Sequence, residues 1–202
     1  MSGRSEDRVS FMVKVVSHVP RNASGGKTQE GNRNGLAGAG KLGITGRGEW
    51  RLGEEGGDPW VGAKAGRWLG ERGGAVVRAG LRAWGRSGAK AGGREVGVIG
   101  VGFGGSWPDW CEGAGAGEVA EGWRDKSPLW LLERLPNLPF AQLAIEIGAK
   151  GPLETLPARS GVEEEVGRRI QRWGARGVKW VVAVRMTESG AEAEVWGWGI
   201  EK

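Results

Sequence analysis

Glycine fills 41 of the 202 positions, and 31 of those 41 fall in residues 1–118, leaving 10 for residues 119–202. Glycine loses the most backbone entropy on ordering and brings no side chain to a core. A segment so rich in it has weak means to fold, whereas the later segment has ordinary ones. The sequence therefore divides into two expected regions. Residues 1–118 form a Gly/Arg/Trp-rich, low-complexity and mostly disordered region, and residues 119–202 form a small α/β core.

The other biases follow the same line. There are 12 Trp but 3 Phe and no Tyr, and Arg, Glu, Ala and Val are plentiful. All the favoured residues have G-rich codons. One hypothesis is therefore that part of residues 35–118 is decayed or mis-assigned coding sequence without a selected function. Detection by mass spectrometry, in the native host, of a peptide spanning Trp68 to Trp84 would exclude it.

The net charge of +5 comes from dispersed Arg and Lys and suits non-specific attraction to nucleic acid. Trp interleaved with Arg could also stack on single strands. A lone cysteine, Cys111, excludes an internal disulfide framework, and a lone histidine, His18, stands in an unpromising segment for catalysis. Phe11–Val19 is apolar but interrupted by Lys14 and His18, with no cleavage site after it. No apolar run approaches the roughly 18 residues of a spanning helix. The expectation is a soluble intracellular protein without a membrane partner.

Two phosphate-loop patterns fail on context. Gly35–Lys41 matches G-x-x-x-x-G-K, but position 42 is Leu instead of Ser or Thr, and no hydrophobic strand precedes it. Gly100–Gly105 matches G-x-G-x-x-G, yet Ser106-Trp107-Pro108 follows where a helix should start. No small-molecule cofactor is implied.

The C-terminal region carries clearer periodicity. Leu143, Ile145 and Ile147 alternate with Ala144 and Glu146, the pattern of a strand with one carboxylate on its second face. Ser160 and Glu163 have capping-box spacing, and Val162, Val166, Ile170 and Trp173 form one apolar stripe. Glu163–Glu165 precede Arg168, Arg169, Arg172 and Arg176, as the helix dipole favours, and Gly177 marks the stop. Val178–Val184 reads as a buried strand, and Glu194–Ile200 as its antiparallel return. The expected order is strand, helix, strand, strand.

Lys126-Ser127-Pro128, the PNLP run 136–139, Glu146 on its strand, the helix with Arg169 and Trp173, and the Gly177-Val178 junction together resemble restriction-endonuclease-like proteins of the PD-(D/E)XK nuclease superfamily. The resemblance spans about 80 residues and implies a partial endonuclease-like core. It further implies carboxylates holding Mg2+, which would activate water against a phosphodiester, and a helical cation near the phosphate. The residues carried over are Glu146 (metal and catalysis), Asp125 (metal) and Arg169 (catalysis). The match is degenerate. Leu129 stands where the family has Asp, and Arg169 stands for a Lys without serving as a base. The implied function is an inactive endonuclease-like domain with DNA as partner; the alternative is a basic protein that binds nucleic acid non-specifically.

Overall fold

The computed structural model describes residues 41–55, 57, 58, 60, 66–90, 92–102, 121, 122, 124 and 135–199. His18, Cys111, Asp125, the apolar run Phe11–Val19, nearly all of the Gly35–Lys41 pattern and the last residues of the Gly100–Gly105 pattern lie outside them.

These residues form a mixed α/β fold with five strands and three helices. In chain order they are β1 (Leu42–Arg51), α1 (Gly66–Ser87), β2 (Val96–Val101), α2 (Leu138–Glu146), β3 (Leu153–Leu156), α3 (Val162–Gly174), β4 (Trp180–Thr187) and β5 (Gly190–Trp198). One sheet holds all five strands in the order β1-β5-β4-β2-β3. β2 runs parallel to β3 and β4, while β5 runs antiparallel to both β4 and β1.

β2 is buried along its whole length because helices cover the sheet on both sides. Val96 and Val98 face α1 and α2, with Val182, Val184, Ala191, Ala193, Val195, Phe140 and Leu143 in the same core. Ile99 and Val101 face the other way and pack with Val181, Ala183, Val166, Ile170 and Trp173 of the α3 layer. The period of two along each strand separates these cores.

The region expected to be mostly disordered corrects the sequence reading. β1, the 22-residue α1 and β2 all lie within residues 42–101 and join the same sheet as the C-terminal strands. Glycine there gives close approach. A Cβ at Gly46 would strike the α1 backbone at Ala83, and one at Gly48 would strike it at Ala79. On α1 the matching face carries Ala75, Ala79 and Ala83, all fully buried. Strand and helix thus meet backbone to backbone. On β2, Gly97 receives the ring of Trp173 and Gly100 receives the ring of Phe140.

The C-terminal region departs from expectation in one element. Leu143–Ile147 belongs to α2 and its C-cap, not to a strand. Pro139 opens the helix, and Phe140, Leu143 and Ile147 face the core at helical spacing. Ile145, which alternation would bury, is 70% exposed. The helix read from Ser160 forms as α3, but its capping box does not. Gly161, in left-handed geometry (φ 77°), is the N-cap, without a side-chain cap bond. Glu163 pairs instead with Arg185 of β4. The expected β4–β5 return is present as an antiparallel hairpin.

Gly100→Ala should test the seating of Phe140. The added methyl has no room without moving the ring, so we expect a loss of about 1–3 kcal/mol in chemical denaturation. Gly88→Ala would add its methyl in open space but at a φ of 71°, so its smaller loss would come from backbone strain alone.

Candidate functional site

Of the residues carried over from the nuclease resemblance, the structure describes Glu146 and Arg169, and these two lie on opposite sides of the sheet. Glu146 ends α2, where its Oε1 accepts hydrogen bonds from Trp60 Nε1 (2.9 Å) and Gln142 Nε2 (2.7 Å). Arg169 lies on α3, across the sheet from α2, and binds Glu165 through Nη1 (2.6 Å) and Glu154 through Nε. Glu165 also takes Arg159 Nη2 (2.7 Å), and the bonds from Arg159 and then Arg169 hold its carboxyl below the usual range. Arg169 therefore clasps β3 to α3, and Glu146 anchors the segment before α1. Among the described residues no group of three or more His, Cys, Asp or Glu could hold a metal ion.

The Trp–Arg mixture is also internal in part. Trp50 and Trp60 are buried, with Arg82 lying 4.1 Å over the Trp50 ring and Arg78 lying 5.5 Å over the Trp60 ring. Arg78 and Arg82 are in turn held by Asp58 (2.8 Å) and Glu54 (2.7 Å). Neither ring is available for stacking on a base.

A different set of cations is exposed. Arg168 and Arg172 point outward from α3, four residues apart, and Arg176 continues the row in the turn that follows. The helix C-terminus favours positive charge at this end. The row runs into the end of the sheet where β2 and β4 begin. There Lys179 N–H donates to the Glu95 carbonyl (2.8 Å), and Lys150 N–H donates to the Gly93 carbonyl (2.9 Å). These bonds fix Lys150, Arg94 and Lys179, from three separate loops, at one end of the molecule. All three side chains are exposed. Among the described residues their acidic partners are two: Lys179 Nζ meets Glu95 at 2.8 Å, and Arg168 reaches Glu164 at 3.9 Å. Such exposed pairs are worth about 0–1 kcal/mol and exchange partners readily. Periodicity exposes the Arg row in the sequence; only backbone pairing brings in Arg94, Lys150 and Lys179.

A buried carboxyl occupies the α3 face of β5. Glu194 is 3% exposed and receives Arg47 Nε of β1 at 3.2 Å. Burial pushes its pKa up to about 7; Arg47 opposes the shift and the neighbouring Glu192 adds to it. Burial likewise lowers the pKa of Arg185, opposed by Glu192. The sequence reading did not single out Glu194, because an alternating E-A-E strand looks like a solvated face.

No protein-family model matches the chain, and no curated protein is similar to it. Among solved structures, the chain is similar to a type II polyketide synthase acyl-carrier protein in complex with its ketosynthase bound to the hexaketide (TM-score 0.60, 13% identity, 79% of this chain). It spans 64% of that chain, less than two thirds of its length. A second similar structure is a ketosynthase in complex with its chain length factor from Xenorhabdus doucetiae, at TM-score 0.50 and 15% identity over 77% of this chain and 78% of that one. At such identities the likeness is one of fold. It overturns the nuclease resemblance, since the fold matched is that of ketosynthase complexes and the strand meant to carry Glu146 is a helix.

The Glu194 pKa has a measurable consequence. Between pH 4.5 and about 7 the folded chain retains a proton on Glu194 that the unfolded chain has released. Raising pH through this window therefore removes stability, on the order of 3 kcal/mol for this group, and the loss is complete above the folded pKa. Urea denaturation from pH 5 to 8 should show this fall in the wild type and a flatter profile in Glu194→Gln.

Proposed function

We propose that the chain binds nucleic acid through its phosphates, without sequence preference, along the basic track from Arg168 through Arg172 and Arg176 to Lys179, Arg94 and Lys150. The observation that carries this reading is the convergence of cations from α3 and three loops, fixed by backbone hydrogen bonds, with little acidic charge between them. The net charge of +5 acts in the same direction at longer range.

Arg and Lys side chains on rigid elements suit a polyanion. Guanidinium groups offer paired N–H donors to phosphate oxygens, and ammonium groups act as mobile point charges. Each phosphate neutralised releases condensed counterions, so affinity falls steeply with salt. α3 holds its Arg row against a packed stripe of Val162, Val166, Ile170 and Trp173, so little backbone order has to be gained on binding. Phosphate contacts fix position and carry no sequence information.

The test is binding of a fluorescent duplex over a range of salt. The wild type should bind several unrelated duplexes alike, and Arg168→Glu/Arg172→Glu/Arg176→Glu should weaken binding more than tenfold while reducing the salt slope by about 3. Equal binding by wild type and variant, or no binding by either, would reject the reading.

A further inference from the structure

β1 stands at one end of the sheet, and among the described residues no strand pairs with its outer edge. An edge of 10 residues is long enough to serve as a template for another chain. Backbone groups of an antiparallel strand alternate in direction from one residue to the next. Leu52 N–H donates to the Ser189 carbonyl (2.8 Å), directly after the Arg51–Gly190 pair of the ladder. By that alternation Arg47, Glu49 and Arg51 turn their N–H and carbonyl groups outward.

Several of those outward groups are already engaged. Arg86 Nη1 donates to the Arg47 carbonyl (3.1 Å), and Arg82 Nη1 donates to the Glu49 carbonyl (2.9 Å). Glu54 accepts from Arg51 N–H (3.0 Å), and its own N–H donates to the Arg51 carbonyl (3.1 Å). The spacing is matched: a helix rises about 6 Å over four residues, and a strand about 6.7 Å over two. α1 can therefore deliver one guanidinium to each successive outward carbonyl.

A second copy of β1 matches this edge in charge. Paired antiparallel about Gly48, Arg47 of each copy would stand opposite Glu49 of the other, and both side chains are exposed. Both residues also turn their backbone groups outward, as a hydrogen-bonded pair requires. The guanidinium groups oppose this pairing twice. They occupy the carbonyls that the incoming N–H groups need. The twofold axis also keeps both α1 helices on one face of the joined sheet, so the Arg pairs of the two copies would face each other.

We propose that Arg82 and Arg86 form a latch on the outer edge of β1, closing it to antiparallel pairing with β1 of a second copy of this chain. Arg82 is further fixed by Glu54 (2.7 Å) and by the Trp50 ring, 4.1 Å beneath it. Arg86 is exposed, so it can be truncated without touching the core, and its loss frees the Arg47 carbonyl for the Glu49 N–H of the second copy.

Sedimentation equilibrium of the full chain tests the latch. Arg86→Ala should associate with rising concentration toward twice the wild-type mass. Arg86→Ala/Glu49→Arg sets like charges opposite each other and should keep the wild-type mass at the same concentrations. Hydrogen exchange locates the contact: in Arg86→Ala, exchange of the Arg47 and Glu49 amides should slow on the order of tenfold as the chain associates. Wild-type mass for Arg86→Ala overturns the proposal. So does association that Glu49→Arg leaves unchanged, an assembly larger than twice the wild-type mass, or exchange at these two amides that does not slow with concentration.

Discussion

The seating of two aromatic rings on two glycines of the central strand governs the rest of the fold. Trp173 descends onto Gly97 from one side of β2, and Phe140 descends onto Gly100 from the other. Both rings are almost completely buried. Each replaces a side chain that β2 does not have, and each carries its helix with it. α3 and α2 are therefore placed by β2, and the loops at their ends are placed by them. A sheet covered on both faces needs a core on each side, and here the smallest residue allows the largest side chains to supply it.

Charge is distributed with similar economy. Ion pairs hold the periphery together: Arg169 ties Glu154 to Glu165, and Arg78 and Arg82 fasten the segment after β1 to α1. Glu194 differs because it sits inside, where one exposed Arg only partly offsets the loss of water. The basic track differs in the opposite sense, since its cations stand outward with few carboxylates nearby. The described residues thus separate a buried acid from an exposed set of bases, on regular elements and the loops bonded to them.

How much of this could be read in the sequence depended on which physical signal each element carried. α3 was legible because an apolar stripe, ordered charges and a terminal glycine agree with one another, and its boundaries moved by only a few residues. The β4–β5 hairpin was legible from its apolar run and turn. α2 was not, because L-A-I-E-I satisfies both a period of two and a helical spacing, and Pro139 decides between them only once it is seen as a helix start. β1, α1 and β2 were hidden by glycine itself. Composition treats Gly46, Gly48, Gly97 and Gly100 as signs of disorder, whereas the fold uses them for contact. For the site, the Arg row of α3 could be found by counting fours. Arg94, Lys150 and Lys179 could not, because backbone bonds between distant loops leave no local pattern. Glu146 was assigned to a strand that is a helix, which is why its neighbours differ from those the nuclease resemblance implied.

The pairing of β1 with β5 has a consequence for how the molecule comes into being. Thr45 bonds to the carbonyl of Val195, 150 residues further along. During synthesis, β1 emerges early and has no sheet to join until β5 has left the ribosome. α1 can cover β1 through the glycine–alanine contact in the meantime, but both long edges of the strand stay unpaired. Sheet closure is then a late event of high sequence separation, which makes folding slow relative to local helix formation. A ribosome that stalled before Gly190 would hold a chain with its first strand still open, a natural substrate for a chaperone that captures extended segments.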